Sequence, residues 1–417
     1  MEDKKPKLRF QGFDEDWKKK RLDEIIQLNS GMDYKHLEDG DIPVYGTGGY
    51  MLNVNKALSY NEDAIGIGRK GTIDKPFILK APFWTVDTLF YAIPKKNNDL
   101  QFCNCLFQKV DWRKHDESTG VPSLSKNIIN AVEVNSTLNF TEQKKIGEFF
   151  EELDELICAK EQEVEKLKQI KAALLDKMFP NNDSDKPNRG GGYNEVIYSI
   201  LQNKNLVYCG DKPNVPCIRF RGFTEPWERK TIKELMQSPL DYGLNIAAKK
   251  YDGRRKYLRI TDIDEDTRIF VKVDITSPNV ENIPSCYQLN EGDIVFARTG
   301  ASVGKTYLYN KMDGEVYFAG FLIRGKIKVE NDPYFVFTST LTEEYAKFIK
   351  VTSQRTGQPG VNALEYENHS FFVPRENAEQ KQIGNFFREQ DENIHNAQHQ
   401  IVKLRNMKQA CLQKMFA

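Results

Sequence analysis

Two stretches of the 417-residue chain carry a long-range period in their apolar positions. In TEQKKIGEFFEELDELICAKEQEVEKLKQIKAALLDKMF, which starts at Thr141, Ile146, Phe150, Leu153, Ile157, Val164, Leu167, Leu174 and Met178 fall on one stripe. Spacings that alternate between three and four residues predict an α-helix with a single apolar seam. Phe150, Ile157 and Val164 share one heptad position, and Ile146, Leu153, Leu167 and Leu174 share the other, a coiled-coil pattern. Lys160 and Lys171 interrupt it. Near the C-terminus, Ile383, Phe387, Ile394, Ala397, Ile401, Leu404, Cys411 and Met415 repeat the stripe, broken by Gln390 and Lys408. Thr141 is the expected cap of the first helix, and Pro180 marks its stop. Each helix spans about 57 Å at ~1.5 Å per residue. The seams are narrow and the remaining faces charged, which favours helix-on-helix pairing over packing on a broad core. The polar stretch 180–192 (PNNDSDKPNRGGG) reads as a linker that lets the helices run antiparallel. Trp84 and Phe90 look like strand residues that face a core.

The chain is also written twice. KLRFQGFDEDWKKKRLDEI at 7–25 returns as CIRFRGFTEPWERKTIKEL at 217–235, TEQKKIGEFF at 141–150 as AEQKQIGNFF at 378–387, and KMF at 177–179 as KMF at 414–416. Three blocks recurring in one order mark a duplication. Between them the copies differ, with one faint echo: Arg69 and Gly71 of GRKGTIDKP match Arg298 and Gly300 of ARTGASVGKT. The resulting division is a first head at 1–140, a helix at 141–180, a linker and insertion at 181–216, a second head at 217–377 and a second helix at 378–417. Within the insertion, Val196, Ile197, Ile200 and Leu201 fit a short amphipathic helix. The fold class is α+β: two globular recognition domains separated by an antiparallel two-helix coiled-coil spacer.

Several motifs weigh against enzymology in this chain. Gly300 to Thr306 ends in Gly-Lys-Thr, but only three residues separate the two glycines where a phosphate-binding loop has four. The counterpart in the first copy is Asp74-Lys75-Pro76. NDPYF at 331–335 resembles the catalytic loop of adenine methyltransferases with one proline too few, and its counterpart NDLQF at 98–102 has neither proline nor tyrosine. His395 and His399 are four apart, yet two histidines are too few for a zinc site. The seven cysteines are scattered, with no CxxC pair, as expected of a protein in a reducing cytoplasm. No apolar run is long enough to span a bilayer. Sixty basic and sixty acidic residues leave a formal charge of zero, so any contact with nucleic acid must come from local patches.

Two related but diverged modules on a rigid spacer suit a ligand with two separated, different halves. Double-stranded DNA is such a ligand, because dimeric readers bind half-sites one or more turns (~34 Å) apart. The repeated RF.GF...W, EQK.IG.FF and KMF blocks, with YLRITDID at 257–264, GDIVFARTGASVGKTYLY at 292–309 and FWTVDTLFYAI at 83–93, resemble the specificity subunits of type I restriction–modification systems across nearly the whole chain. That resemblance implies a non-catalytic reader of a bipartite, asymmetric DNA site. It implies two methyltransferase subunits docked on the spacer, where Phe149 and Phe386 are the expected contacts, and restriction subunits in the full complex. S-adenosylmethionine, ATP and magnesium would sit on those partners, with no cofactor or metal in this chain.

Base reading needs hydrogen-bonding side chains on loops, and basic residues on phosphates to fix register. In the first head the candidates are Tyr45, Thr47 and Tyr50, then Arg69, Lys70, Thr72 and Lys75, with Ser118 and Thr119 on a further loop. In the second they are Arg259, Arg298, Thr299, Ser302 and Lys305, with Gln354, Arg355, Gln358 and Asn362 on the loop SQRTGQPGVN. Two rival readings stay open: a nucleotide-binding enzyme built on loop 300–306, and a protein-binding coiled-coil scaffold, which suits the neutral charge.

Overall fold

The computed structural model describes residues 5–180, 204–210, 212–355 and 357–416. The linker and the stretch Val196–Leu201 lie outside the described residues. The chain divides into two compact units, one made of 1–162 with 398–417, the other of 163–397.

In the first unit a four-stranded antiparallel sheet runs in the order Ile26–Ser30, Leu89–Pro94, Ala64–Gly68, Phe77–Leu79. The second unit repeats that order with Asp241–Tyr242, Leu322–Lys326, Asp293–Ala297 and Thr306–Leu308. Ala64–Gly68 and Asp293–Ala297 are fully buried, as central strands covered on both faces should be. The residues of greatest interest begin where these two strands end.

The repeated blocks of sequence form one repeated interaction. Glu142, fully buried near the start of the long helix Phe140–Met178, accepts from Arg9 Nε at 2.5 Å, Arg9 Nη2 at 2.9 Å and Trp17 Nε1 at 3.4 Å. Glu379, at the start of the helix Asn377–Met415, accepts from Arg219 Nε at 2.6 Å, Arg219 Nη2 at 2.8 Å and Trp227 Nε1 at 3.3 Å. The neighbouring glutamine ties in a second helix. Gln143 accepts from the Asp99 N–H at 2.9 Å, and Gln380 from the Asp332 N–H at 3.1 Å. Asp99 and Asp332 cap helices Leu100–Lys109 and Pro333–Ser339 through the N–H groups of Phe102 and Phe335. NDPYF is therefore a helix start with proline in its first turn, and its buried Phe335 is core. Gly147 and Gly384 let these caps approach: a Cβ there would lie 2.3 Å from Asp99 Oδ1 and 2.1 Å from Asp332 Oδ1.

The KMF endings are exchanged between copies. Phe416, at the end of the second copy, stacks on Phe102 of the first head at 5.4 Å and meets Trp17 edge-on at 5.7 Å. Phe179, from the first copy, stacks on Phe335 of the second head at 5.6 Å and meets Trp227 edge-on at 5.8 Å. Each unit thus combines one head with the end of the other copy's helix. Within each, the helices pair antiparallel: Asp154 with Lys408 and Glu161 with Arg405 in the first, Lys171 with Asp391 in the second. Lys171 and Lys408, which interrupt the apolar stripes, make cross-helix ion pairs.

One expectation needs correction. The first long helix is capped by Asn139, whose Oδ1 accepts from the Glu142 N–H at 3.2 Å, instead of by Thr141. Part of the insertion pairs as a strand: Leu206–Tyr208 lies antiparallel to Ile218–Phe220, beside Arg219.

A carboxylate held inside by one guanidinium and one indole is costly to break from one side only. Glu379→Gln should destabilise the protein by about 3–5 kcal/mol, because Arg219 is left charged and buried. Replacing Arg219 and Glu379 together by methionine and leucine should restore most of that loss, as read by denaturant unfolding. Glycine to alanine inside a helix ordinarily gains about 1 kcal/mol. At Gly147 and Gly384 the sign should reverse, with a loss of roughly 1–3 kcal/mol from overpacking against the aspartate caps, measured as a lower Tm.

Candidate nucleic-acid interface

In the first head, the strand Ala64–Gly68 ends in a glycine because a Cβ at Gly68 would lie 2.0 Å from the Thr72 carbonyl oxygen. Beyond it, the chain pairs with a distant loop. The Gly71 N–H donates to the Pro122 carbonyl at 2.8 Å, and the Leu124 N–H to the Arg69 carbonyl at 2.9 Å, with Lys70 opposite Ser123. Asp116 shapes that loop, accepting from the Ser118 and Ser123 N–H groups, each at 2.9 Å, and from the Ser118 hydroxyl at 2.8 Å. These bonds hold the Asp116 carboxyl below the usual range. The Arg69 guanidinium lies over the Phe90 ring, 5.9 Å from its centre.

The second head builds the same ladder from different residues. After Asp293–Ala297, the Gly300 N–H donates to the Pro359 carbonyl at 3.0 Å and the Val361 N–H to the Arg298 carbonyl at 2.9 Å, with Thr299 opposite Gly360. Gly71 at φ +96° and Gly300 at φ +72° both occupy the left-handed region that favours glycine. The Arg298 guanidinium lies 5.0 Å from the centre of the Tyr242 ring. The Tyr242 hydroxyl accepts the Ala363 N–H at 3.2 Å, which ties this stack to the start of helix Ala363–Asn368.

The structure gathers some predicted residues and separates others. In the first head, Arg69, Lys70, Ser118 and Thr119 share the ladder and its loop. The hairpin turn between Ile42–Gly46 and Gly49–Val54 brings Thr47 over Gly71, its Oγ1 3.7 Å from where a Cβ would stand. Tyr45 and Tyr50 flank that turn edge to face at 6.4 Å, and Tyr50 is 61% exposed. Thr72 is half-buried just beyond the ladder, and Lys75 is exposed beside Asp74, which pairs with Arg113. In the second head, Arg298, Thr299 and Gln358 come together, with Gln354 exposed further along the same loop. Ser302 is half-buried in the turn Gly300–Ser302.

Several candidates have their polar groups engaged within the chain. Arg259 is clamped on both carboxylate oxygens of Asp262. Lys305 is ion-paired with Glu265, and Thr306 is buried against Thr340, so the Gly-Lys-Thr stretch has no lysine aimed at a phosphate. Arg355 closes its own loop on Glu365 and the Thr352 carbonyl. Asn362 caps a helix, accepting from the Glu365 N–H at 3.0 Å. Ser118 serves its own loop through Asp116. Phe386 is buried between Phe220 and Phe387, and the half-buried Phe149 packs on Phe10 and Phe150.

Sequence reasoning missed that the two loops are copies. TGVPSLS at 119–125 returns as TGQPGVN at 356–362, at the offset of 237 shared by the helix and KMF blocks (356 − 119 = 237). Tyr242 and Val121 were missed as well. Val121 occupies the place of Gln358 in that repeat and was within reach of the same alignment. Tyr242 carries no motif.

Duplicated α+β heads, each ending its central strand in a loop-paired arginine–glycine turn, define a tandem recognition module. The chain belongs to the family described as the type I restriction modification DNA specificity domain, whose model matches residues 14–169 and 224–405. It is 27% identical over 172 residues to a putative type I specificity subunit of Mycoplasma genitalium, a match that covers 38% of this chain and 44% of that relative. Its fold is similar to the crystal structure of the type I restriction–modification S subunit from M. genitalium, with a TM-score of 0.64, 14% identity and 99% of each chain covered. Among the described residues no three potential metal ligands cluster, and no helix is long and apolar enough to cross a membrane.

Acid should weaken the second head. His369 ends helix Ala363–Asn368, stacks on Phe348 at 4.0 Å and meets Phe371 edge-on, and burial pushes its pKa down to about 4. The imidazole is neutral when folded and protonates first in the unfolded chain. The stability it contributes is full above about pH 6.5, falls below that and is lost as pH nears 4. Between pH 7 and 5.5 the wild type should lose about 1 kcal/mol relative to His369→Phe, measured by paired denaturant titrations.

Proposed function

We propose that this chain is the DNA-reading subunit of a type I restriction–modification complex. Each head reads one half of a split, asymmetric site, and the paired helices set the gap and dock two methyltransferase subunits. Those subunits would carry S-adenosylmethionine, and restriction subunits, with ATP and magnesium, would complete the assembly in the cytoplasm. The observation that carries this reading is the recurrence of one loop-paired turn at the end of the same strand in both heads, dressed with different side chains. Duplicated catalysts would keep their chemistry identical, whereas duplicated readers need a common frame and unlike edges. Base edges supply sequence information, while phosphate contacts supply register. The nucleotide-enzyme reading loses its main support, since Lys305 is engaged with Glu265.

Selection from a duplex library, with the methyltransferase partner present, should enrich a motif with two specified parts and a constant gap; a library left unenriched would favour a protein-binding scaffold. Arg298→Ala should weaken binding to the selected duplex by about 1–3 kcal/mol if the guanidinium reads a base. If it meets only phosphate, the loss should be equal on selected and scrambled duplexes, with a shallower salt dependence. Titrations of both duplexes at two salt concentrations separate these outcomes. No loss on either duplex would remove Arg298 from the interface.

A further inference from the structure

The two ladders share an arginine, a left-handed glycine and a proline: Arg69, Gly71 and Pro122 in the first head, Arg298, Gly300 and Pro359 in the second. Shared groups cannot tell one half-site from the other. What differs is the polar group held over the glycine. In the second head it is the Gln358 amide, whose Nε2 stands 3.1 Å from where a Gly300 Cβ would be. In the first head the equivalent loop position is Val121, 55% exposed and without a polar atom, and the place over Gly71 is taken by the Thr47 hydroxyl from another segment. A bare glycine lets such a group lie close to the backbone. Gly300 would not tolerate a side chain without pushing the amide aside.

Gln358 is also uncommitted. Its exposed amide makes no hydrogen bond among the described residues, whereas Arg355, Asn362, Lys305 and Arg259 are all engaged. A glutamine amide offers one acceptor and two donors, the set that matches N6–H and N7 of adenine in the major groove.

Building on the DNA-reading function proposed above, we infer that Gln358 is the residue that specifies an adenine in the half-site read by the second head, and that Thr47 holds the corresponding station in the first. The two half-sites differ because different segments supply the group above a common glycine.

The experiment is duplex-library selection with the full-length chain and its methyltransferase partner, comparing wild type with Gln358→Ala, Gln358→Glu and Thr47→Val. Gln358→Ala should flatten an A·T preference at one position of one half-site by about 5- to 150-fold, with every other position and the gap unchanged. Gln358→Glu should move that position toward cytosine, whose amino group donates to a carboxylate. Thr47→Val should alter only the other half. The inference is overturned if Gln358→Ala leaves all positions as they were, flattens a position that is not A·T, or lowers binding equally on selected and scrambled duplexes. In each of those cases the wild-type two-part motif still stands, and with it the proposed function. A wild-type selection without a two-part motif would reject both.

Discussion

The structure depends on a buried carboxylate at the start of each long helix. Glu142 and Glu379 hold together a segment from the beginning of a copy, through arginine and tryptophan, and a helix from its end. Such a group is tolerable in the interior only when its charge is matched and its oxygens are hydrogen-bonded. Arg9 and Arg219 match the charge with two hydrogen bonds each, and the indoles add a third. The arrangement ties residues 133 apart in the first copy and 160 apart in the second. The variable middle is the span enclosed by that closure, so its loops are free to diverge without disturbing the frame.

This constraint explains which parts of the fold were legible in the sequence. RF.GF...W and EQK.IG.FF recur because each is half of one contact, and Gly147 and Gly384 recur because a helix cap sits against them. The long helices were legible from their seams. Their caps and their charged interruptions were less so, because Asn139 and the partners of Lys171 and Lys408 are fixed by tertiary contacts. KMF was visible as a repeat but not as an exchange, since sequence order does not say which head a helix end will fill.

The candidate interface was legible in outline only. The arginine–glycine turn and the TGxP loop were both chosen as candidates, yet nothing local marks them as partners in one ladder. Their pairing is a long-range backbone event: Arg298 to Val361 in one head and Arg69 to Leu124 in the other. Basic side chains near them could not be told apart for a related reason. From sequence, Arg259 and Lys305 look equivalent to Arg298. In the fold, Asp262 and Glu265 have claimed them, while Arg298 rests on an aromatic ring.

On the DNA-reading function proposed above, the same balance of charges bears on how the chain would meet DNA. The chain has equal numbers of acids and bases, and Lys171, Arg219, Lys305 and Lys408 are ion-paired within it. Counterion release scales with the number of phosphates neutralised, so a reader built this way gains little sequence-independent affinity. In that reading its contribution would be discrimination, supplied by uncommitted side chains such as Gln358 on the backbone ladder. Affinity would then come from the assembly proposed above. Such a division would suit a protein whose heads diverge in what they read while the contacts at Glu142 and Glu379 stay the same.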